Sequence, residues 1–197
     1  MKKILLAVVS LLILVQPLQA DELKEAHKVV ENSVDLVVSF LENKNIDEEM
    51  RRERVMGVIK GVFDFDLMAK LTLGRDNWGR FTPQEREEFV FLFSKELENT
   101  YYGKTEFFSG EKIAYGEPTQ VDSKIHVPTT VLLKDERIEV TYKLYKKNEK
   151  GWMIYDASIQ GVSIISSFRA QYNQFLSKNS VGDFLKELKN KTSKTNT

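Results

Sequence analysis

The 197-residue sequence contains no cysteine and only two histidines. The lack of cysteine excludes disulfides, thiol nucleophiles, thiolate metal sites and a lipid anchor on an N-terminal cysteine. His27 and His126 do not have the spacing of metal ligands, and we interpret both as surface or boundary residues. No glycine-rich phosphate loop is present, and Gly161-Val162-Ser163 lacks the rest of a serine nucleophile elbow. The sequence therefore suggests no catalytic residue and no metal site.

The sequence also lacks an excess of charge of either sign. Its 29 basic residues balance 29 acidic residues, and the loss of Lys2 and Lys3 with a leader would leave 27 against 29. Proteins that bind nucleic acid normally present a basic face. We therefore expect no nucleic-acid partner, and nothing in the sequence suggests an obligate dimer, so a monomer is expected.

Only one long apolar run is present, at residues 4–15, and it follows Lys2 and Lys3. The run ends before Ala20, a small residue that precedes the charged Asp21. This pattern predicts a signal peptide over residues 1–20 that is cleaved after Ala20. A membrane anchor is the alternative, but spanning a bilayer takes roughly 20 apolar residues.

Helical periodicity dominates the first half of the remaining chain. Asp47 is placed to cap a second helix, Asp66 to cap a short helix that ends near Gly74, and Thr82 and Glu85 form a capping-box pattern around Pro83. The first predicted helix has one apolar face, which comprises Leu23, Ala26, His27, Val30, Val34, Val37, Val38 and Leu41.

Alternating apolar residues dominate the second half and predict strands over 112–118, 125–133, 138–144 and 151–159. Pro128 within the second strand favours an edge position or a bulge. Two helices follow, over about 162–177 and after a cap at Ser180. The fold class is therefore α+β, with an antiparallel sheet of about four strands and helices on one face. We expect a single domain over residues 21–190 and a disordered tail over 191–197.

Asp156, in the strand that follows Trp152, is the acidic residue that most merits a functional test. It is either a general base in an apolar pocket, as in isomerases of the ketosteroid type, or a structural carboxylate that accepts hydrogen bonds from the neighbouring turn or helix start. We favour the structural interpretation. Asp64 and Asp66 are better explained as helix-capping residues than as a catalytic pair.

Several of these stretches resemble the MlaC family, also called the toluene-tolerance family of periplasmic phospholipid-binding proteins. The resemblance rests on residues 66–74, Trp78, residues 81–89 and residues 97–103, and on a second group formed by residues 152–156, 161–163 and 168–172. The matching region spans roughly residues 45–190. One departure is Gln160, where the family often has Glu.

The resemblance implies a carrier rather than an enzyme, with glycerophospholipid as cargo and no cofactor. The implied fold encloses an apolar cavity between the sheet and the N-terminal and C-terminal helices. The implied location is the periplasm, and the implied role is to maintain the lipid asymmetry of the outer membrane. The implied partners are an outer-membrane lipoprotein–porin complex and an inner-membrane ABC transporter complex with its substrate-binding ring.

Site residues follow from the resemblance by position. Tyr102, Ile138, Val140 and Val162 are expected to line the cavity for the acyl chains. Four further residues are expected there from their predicted faces: Phe89, Phe93, Ile165 and Phe168. Arg86 is interpreted either as a partner-docking residue or as a solvated arginine. Two other functions stay open, namely a carrier of another hydrophobe, such as an isoprenoid or a small aromatic solvent, and an isomerase-like enzyme that uses Asp156.

Overall fold

A computed structural model of the chain describes residues 16–102 and 110–194. Residues 1–15, most of the expected signal peptide, and residues 195–197 lie outside the described residues. The helices in the described part are α1 (Gln16–Glu42), α2 (Glu48–Val62), α3 (Phe65–Arg80), α4 (Pro83–Tyr101), α5 (Ile164–Leu176) and α6 (Val181–Lys194). The strands are β1 (Lys112–Tyr115), β2 (Thr119–Val121), β3 (Lys124–Leu132), β4 (Arg137–Lys147), β5 (Gly151–Ile159) and β6 (Val162–Ser163).

Short polar side chains begin three of the helices as their sequence signals predict. The Asp47 carboxylate accepts a hydrogen bond of 2.8 Å from a backbone N–H in the first turn of α2. Thr82 and Glu85 form a reciprocal capping box at the start of α4, with distances of 3.3 and 2.8 Å. The Ser180 hydroxyl accepts a backbone N–H of α6 at 3.1 Å. These side chains satisfy N–H groups that the first helical turn leaves without partners.

The start of α3 differs from the prediction, whereas its first helical segment ends at Gly74 as predicted. The capping residue is Asp64, which accepts the backbone N–H of Leu67 at 3.1 Å, while Asp66 lies in the first turn. The backbone leaves the helical conformation at Gly74, whose φ is 71°, and a second helical segment continues from this kink to Arg80. Glycine adopts this conformation without a steric penalty, so it permits a sharp kink between the two segments.

At the C-terminus, α6 continues to Lys194, so residues 191–194 are helical where the sequence suggested a disordered tail. Thr192 is buried, and its hydroxyl donates to the Leu188 carbonyl oxygen at 2.9 Å. The polar composition of this segment predicts disorder. Composition alone does not show that one face of the segment packs against α4.

Within residues 16–102 and 110–194, the sheet is antiparallel and has six strands rather than about four. Its order is β1-β3-β4-β5-β6, and the short β2 lies beyond β1 along the same edge of β3. β2 and β6 contain three and two residues, too few for an alternating pattern to identify.

Pro128 lies opposite the break between β1 and β2, where the missing proline N–H interrupts no strand pairing. Its carbonyl oxygen accepts the N–H of Gly116 at 2.9 Å. A Cβ at Gly116 would lie 2.9 Å from the Pro128 ring, so this position requires glycine. β3 is therefore not the edge strand that Pro128 suggested; it accommodates the proline at the gap between β1 and β2.

The connection from β5 to α5 is a tight turn at Gln160 and Gly161, whose φ values are 50° and 78°. Two positive φ values favour the hairpin turn that matches the twist of its flanking strands. The Gln160 side chain donates to the Arg137 carbonyl oxygen at 2.7 Å and so ties the turn to β4. After the two residues of β6, α5 begins at Ile164, close to the start near residue 162 that the sequence predicts.

The apolar residues form two clusters on one face of the sheet, the face shared by Val127, Tyr142 and Ala157. The smaller cluster joins α1 to the sheet and contains Ala26, Val30, Ile125, Val127, Leu144, Trp152 and Ile154. The larger cluster joins α3, α4, α5 and α6, and its rings include Phe81, Phe89, Phe93, Phe168, Tyr172 and Phe184. Phe63 and Tyr142 pack against both clusters.

No helix in residues 16–102 and 110–194 is long and apolar enough to cross a membrane.

Candidate ligand-binding cavity

An apolar cavity of about 230 Å³ lies where the two clusters meet. Its walls include α2 and the C-terminal end of α4, and β4 and β5 form the floor. The lining residues are Val37, Val55, Met56, Ile59, Phe63, Phe65, Met68, Leu97, Glu98, Tyr101, Tyr102, Val140, Tyr142, Ala157, Ile159 and Ile164.

The surface of the cavity is almost entirely hydrocarbon and aromatic ring. Burial raises the pKa of Tyr142 to about 12, and burial followed by the charge of Asp156 raises the pKa of Tyr101. Both phenols are therefore neutral at physiological pH. Apolar chains leave water favourably for such a surface, at about 25 cal/mol per Å² buried. The chemistry of the cavity suits a hydrophobic ligand.

Glu98 is the charged residue among the described lining residues, and it is 8% exposed. It accepts hydrogen bonds from Arg52 Nε at 2.8 Å and from Lys95 Nζ at 3.1 Å. Burial pushes the pKa of Glu98 upward, but these two cations outweigh burial and hold the pKa below its ordinary value. Glu98 is therefore ionised and paired, and its cationic partners lie on the solvent side of the lining.

Two of the residues expected to line the acyl cavity are in its lining, namely Tyr102 and Val140. Ile138 is two residues before Val140, on the same face of β4, but it is not part of the lining. Val162 is also outside the lining: it lies in β6, directly before α5, with 61% of its surface exposed.

The four aromatic and aliphatic residues expected from their helical faces are buried, but they lie in the larger cluster and not in the cavity lining: Phe89, Phe93, Ile165 and Phe168. The ring centroids of Phe89 and Phe93 are 5.8 Å apart, and those of Phe93 and Phe168 are 5.7 Å apart. Helical periodicity identifies a buried face, but it cannot distinguish a face that meets other side chains from one that borders a cavity.

Reasoning from sequence missed the contribution of α2 to the lining. Val55, Met56 and Ile59 are part of the lining, yet the first ten residues of α2 include six charged residues, so the apolar face of this helix is weak. Phe63 and Tyr142 were also missed. The excess of aromatic residues near position 63 could have indicated Phe63, and the alternating pattern of β4 could have indicated Tyr142.

Arg86 has an intramolecular role. Its Nε and Nη2 donate to the Trp78 carbonyl oxygen at 3.1 and 2.9 Å, and the guanidinium lies 5.2 Å from the centroid of the Trp78 ring. These contacts complete the last turn of α3, where carbonyl groups lack helical partners. Arg86 also borders a surface cleft between α3 and α4, on the side that includes Tyr145 and Lys147.

Asp156 has the contacts of a structural carboxylate. It is 4% exposed and accepts hydrogen bonds from Lys143 Nζ at 2.8 Å, Ser163 Oγ at 2.7 Å and the Ile165 backbone N–H at 3.2 Å. A negative charge at this place stabilises the N-terminus of α5. The structural interpretation predicts hydrogen bonds from the neighbouring turn and helix start, and Ser163 and Ile165 provide them.

Asp64, the other buried aspartate, is likewise fully engaged. Besides capping α3, it accepts hydrogen bonds from the Tyr145 hydroxyl and from Lys147 Nζ at 2.5 Å. Within residues 16–102 and 110–194, no group of three or more acidic or histidine side chains is arranged to hold a metal ion.

The fold and the cavity define the class of protein: an α+β domain that encloses an apolar cavity between its sheet and helices. The model of the MlaC protein family matches residues 31–190, which is most of the chain. The chain therefore belongs to the MlaC family.

Among solved structures, the chain is similar to the phospholipid-binding protein from Ralstonia solanacearum, which was solved in complex with a phospholipid. The TM-score is 0.77 and the sequences are 22% identical. The match covers 88% of this chain and 99% of that chain, so the two proteins share the whole fold. A comparison with curated proteins found no match.

Proposed function

We propose that this chain is a periplasmic carrier that binds glycerophospholipid acyl chains in the cavity between α2, α4 and the sheet. The observation that carries the proposal is the apolar lining, which includes Tyr102 and Val140. Family membership and the phospholipid bound to the structural relative support the same cargo. The signal-peptide pattern of residues 1–20 supports export.

The proposed carrier exchanges lipid with an outer-membrane lipoprotein–porin complex and an inner-membrane ABC transporter complex with its substrate-binding ring. This exchange maintains the lipid asymmetry of the outer membrane. In this proposal Arg86 stabilises the end of α3 beside a surface cleft, and the cleft is a candidate docking surface.

Physical chemistry explains why such a carrier is needed. Burying one methylene is worth about 0.8 kcal/mol, so two acyl chains with roughly 30 of them represent on the order of 20 kcal/mol against water. A free lipid therefore does not cross an aqueous gap at a useful rate. The carrier needs only to bind the lipid about as favourably as the membrane does. The net free energy of transfer is then near zero, and a partner sets the direction of transfer. No covalent step is required.

Organic extraction of the purified protein, followed by mass spectrometry, tests the proposal. We expect stoichiometric glycerophospholipid, in contrast to a sample of the same protein after denaturation and delipidation. A second candidate, a carrier of a smaller hydrophobe, is favoured by the modest cavity volume of about 230 Å³. Extraction of an isoprenoid or a small aromatic compound in place of phospholipid would establish that candidate.

A further inference from the structure

The cavity is too small for the tails of a diacyl lipid. An apolar cavity of about 150 Å³ accommodates one benzene ring, so 230 Å³ holds on the order of ten carbon atoms. Two acyl chains contain roughly 30 methylenes. If the cargo is the phospholipid of the proposed function, on which this inference rests, part of the lining must move outward to admit it.

Helix α2 has fewer buried side chains than α4, the helix to which it is tied across the cavity lining. It buries only Val55 and Met56, whereas α4 buries six residues. Gly57 and Gly61 also lie within α2, and a Cβ at either position would meet nothing within 4 Å. Glycine weakens a helix interior, and elements with few buried contacts are the first to open.

The two ends of α2 are attached differently. At its C-terminal end the backbone joins the sheet, because the Asp64 N–H donates to the Ile154 carbonyl oxygen at 2.8 Å and Phe63 forms a bridge with Ile154. At its N-terminal half, α2 is tied to α4 through Arg52, whose Nε and Nη2 donate to Glu98 Oε1 and Asn99 Oδ1 at 2.8 and 3.0 Å.

These Arg52 hydrogen bonds hold α2 against α4, at the boundary where the two helices would separate if the cavity opened. Glu98 is part of the cavity lining on α4, and the Arg52 guanidinium lies 5.2 Å from the ring centroid of Tyr102, another lining residue. Arg52 is itself 33% exposed, so water can replace its partners when α2 moves. The backbone attachment at Phe63 and Asp64 provides a fixed pivot at the other end.

We propose that α2 is the movable wall of the cavity and that Arg52, paired with Glu98 and Asn99, is the latch that holds it closed. Opening the latch lets α2 turn about Phe63 and widens the cavity for a diacyl lipid. With the latch closed, the cavity accepts only a short single chain.

A cross-link between α2 and α4 tests the movement, and the cysteine-free chain makes such links specific. Arg52→Cys with Asn99→Cys, joined by a short bismaleimide, should bind decanoate but fail to load dipalmitoyl phosphatidylglycerol from vesicles. The matched control joins Glu22→Cys to Lys146→Cys, a surface pair between α1 and β4, and should load both ligands. Normal loading of the diacyl lipid by the α2–α4 linked protein would overturn the proposal, and so would loss of decanoate binding.

Single substitutions test the latch without a link. Arg52→Met should speed lipid exchange with vesicles about fivefold, since a partly exposed ion pair contributes up to about 1 kcal/mol. Lys95→Met is the control, because Lys95 pairs with Glu98 within α4 and does not reach α2. An unchanged exchange rate in Arg52→Met would contradict the latch.

Hydrogen exchange separates the latch from the identity of the cargo. In lipid-free protein, Arg52→Met should speed exchange of the α2 amides while the α3 amides keep their rates. If wild-type protein takes up no diacyl lipid but α2 responds in this way, the proposed function fails and the latch is supported. Equal α2 exchange in the two proteins refutes the latch whatever the cargo is.

Discussion

The rings of Phe63 and Tyr142 meet edge to face, with their centroids 6.5 Å apart, at the boundary between the two apolar clusters. Both residues also line the cavity. Phe63 caps the C-terminal end of α2 and Tyr142 lies in β4, so this contact joins the proposed movable wall to the floor of the cavity.

The first prediction concerns occupation of the cavity. Val140→Trp places a large ring in existing space on the floor, so we expect bound lipid to fall about tenfold or more while the stability changes by less than about 2 kcal/mol. Extraction and mass spectrometry give the amount of lipid per protein, and thermal unfolding gives the stability.

The matched control for this prediction is Val162→Trp, the same substitution at an exposed residue outside the lining. This variant should retain its lipid. If both tryptophan variants keep full lipid, the acyl chains lie somewhere other than this cavity.

The second prediction separates the packed core from the cavity. Phe93→Ala removes a fully buried ring from the larger cluster and should lower the free energy of unfolding by about 3–5 kcal/mol. The folded fraction should bind as much lipid per molecule as the wild type. Loss of lipid with little loss of stability would show instead that Phe93 contacts the cargo.

The third prediction concerns Asp156. Asp156→Asn removes the charge that Lys143, Ser163 and the N-terminus of α5 share, and should cost about 2–3 kcal/mol of stability in urea unfolding. Lipid content should not change. Ser163→Ala, which removes one of these partners and keeps the charge, should cost less. A variant of unchanged stability that lost a measurable turnover would point to the isomerase-like alternative.

The fourth prediction concerns pH. Burial raises the pKa of Asp64, but hydrogen bonds from Lys147 and Tyr145 outweigh burial and hold the pKa below its ordinary value of 3.8. A folded-state pKa below the unfolded one adds stability at higher pH, and that stability is lost as pH falls through the folded pKa. Glu98 acts with the same sign, relative to its ordinary value of 4.5.

The free energy of unfolding should therefore decline as pH falls below about 4 to 5, the ordinary range of these groups. Asp64→Asn should be less stable at neutral pH and show a shallower decline in acid, which urea titrations at several pH values will measure. An identical pH slope in Asp64→Asn would mean that this carboxylate does not contribute to the acid sensitivity.

Much of the fold is predictable because local signals agree with the tertiary structure. Asp47, Thr82 and Ser180 cap helices through their own side chains, and the alternation in β3 and β4 follows from one buried face. The cap of α3 was misassigned because Asp64 and Asp66 have equal local propensity. Contacts with Tyr145 and Lys147, about eighty residues away, hold Asp64 in the capping position.

The cavity was less predictable than the fold. Tyr102 and Val140 came from a family resemblance, whereas the contribution of α2 was hidden by its many charged residues. Phe89 and Phe93 show the reverse case, since their strong apolar pattern indicates burial but not whether a cavity or another ring faces them. Only the three-dimensional arrangement of both clusters determines where packing leaves a space.

Photo-labelling with a phospholipid that bears a diazirine on one acyl chain tests the central claim most directly. After loading, irradiation and peptide mapping, we expect adducts on the cavity lining, at the end of α4 around Tyr102 and on β4 around Val140 and Tyr142. Labelling confined to the protein surface, such as the exposed Val162, or uptake of no lipid at all would contradict the account.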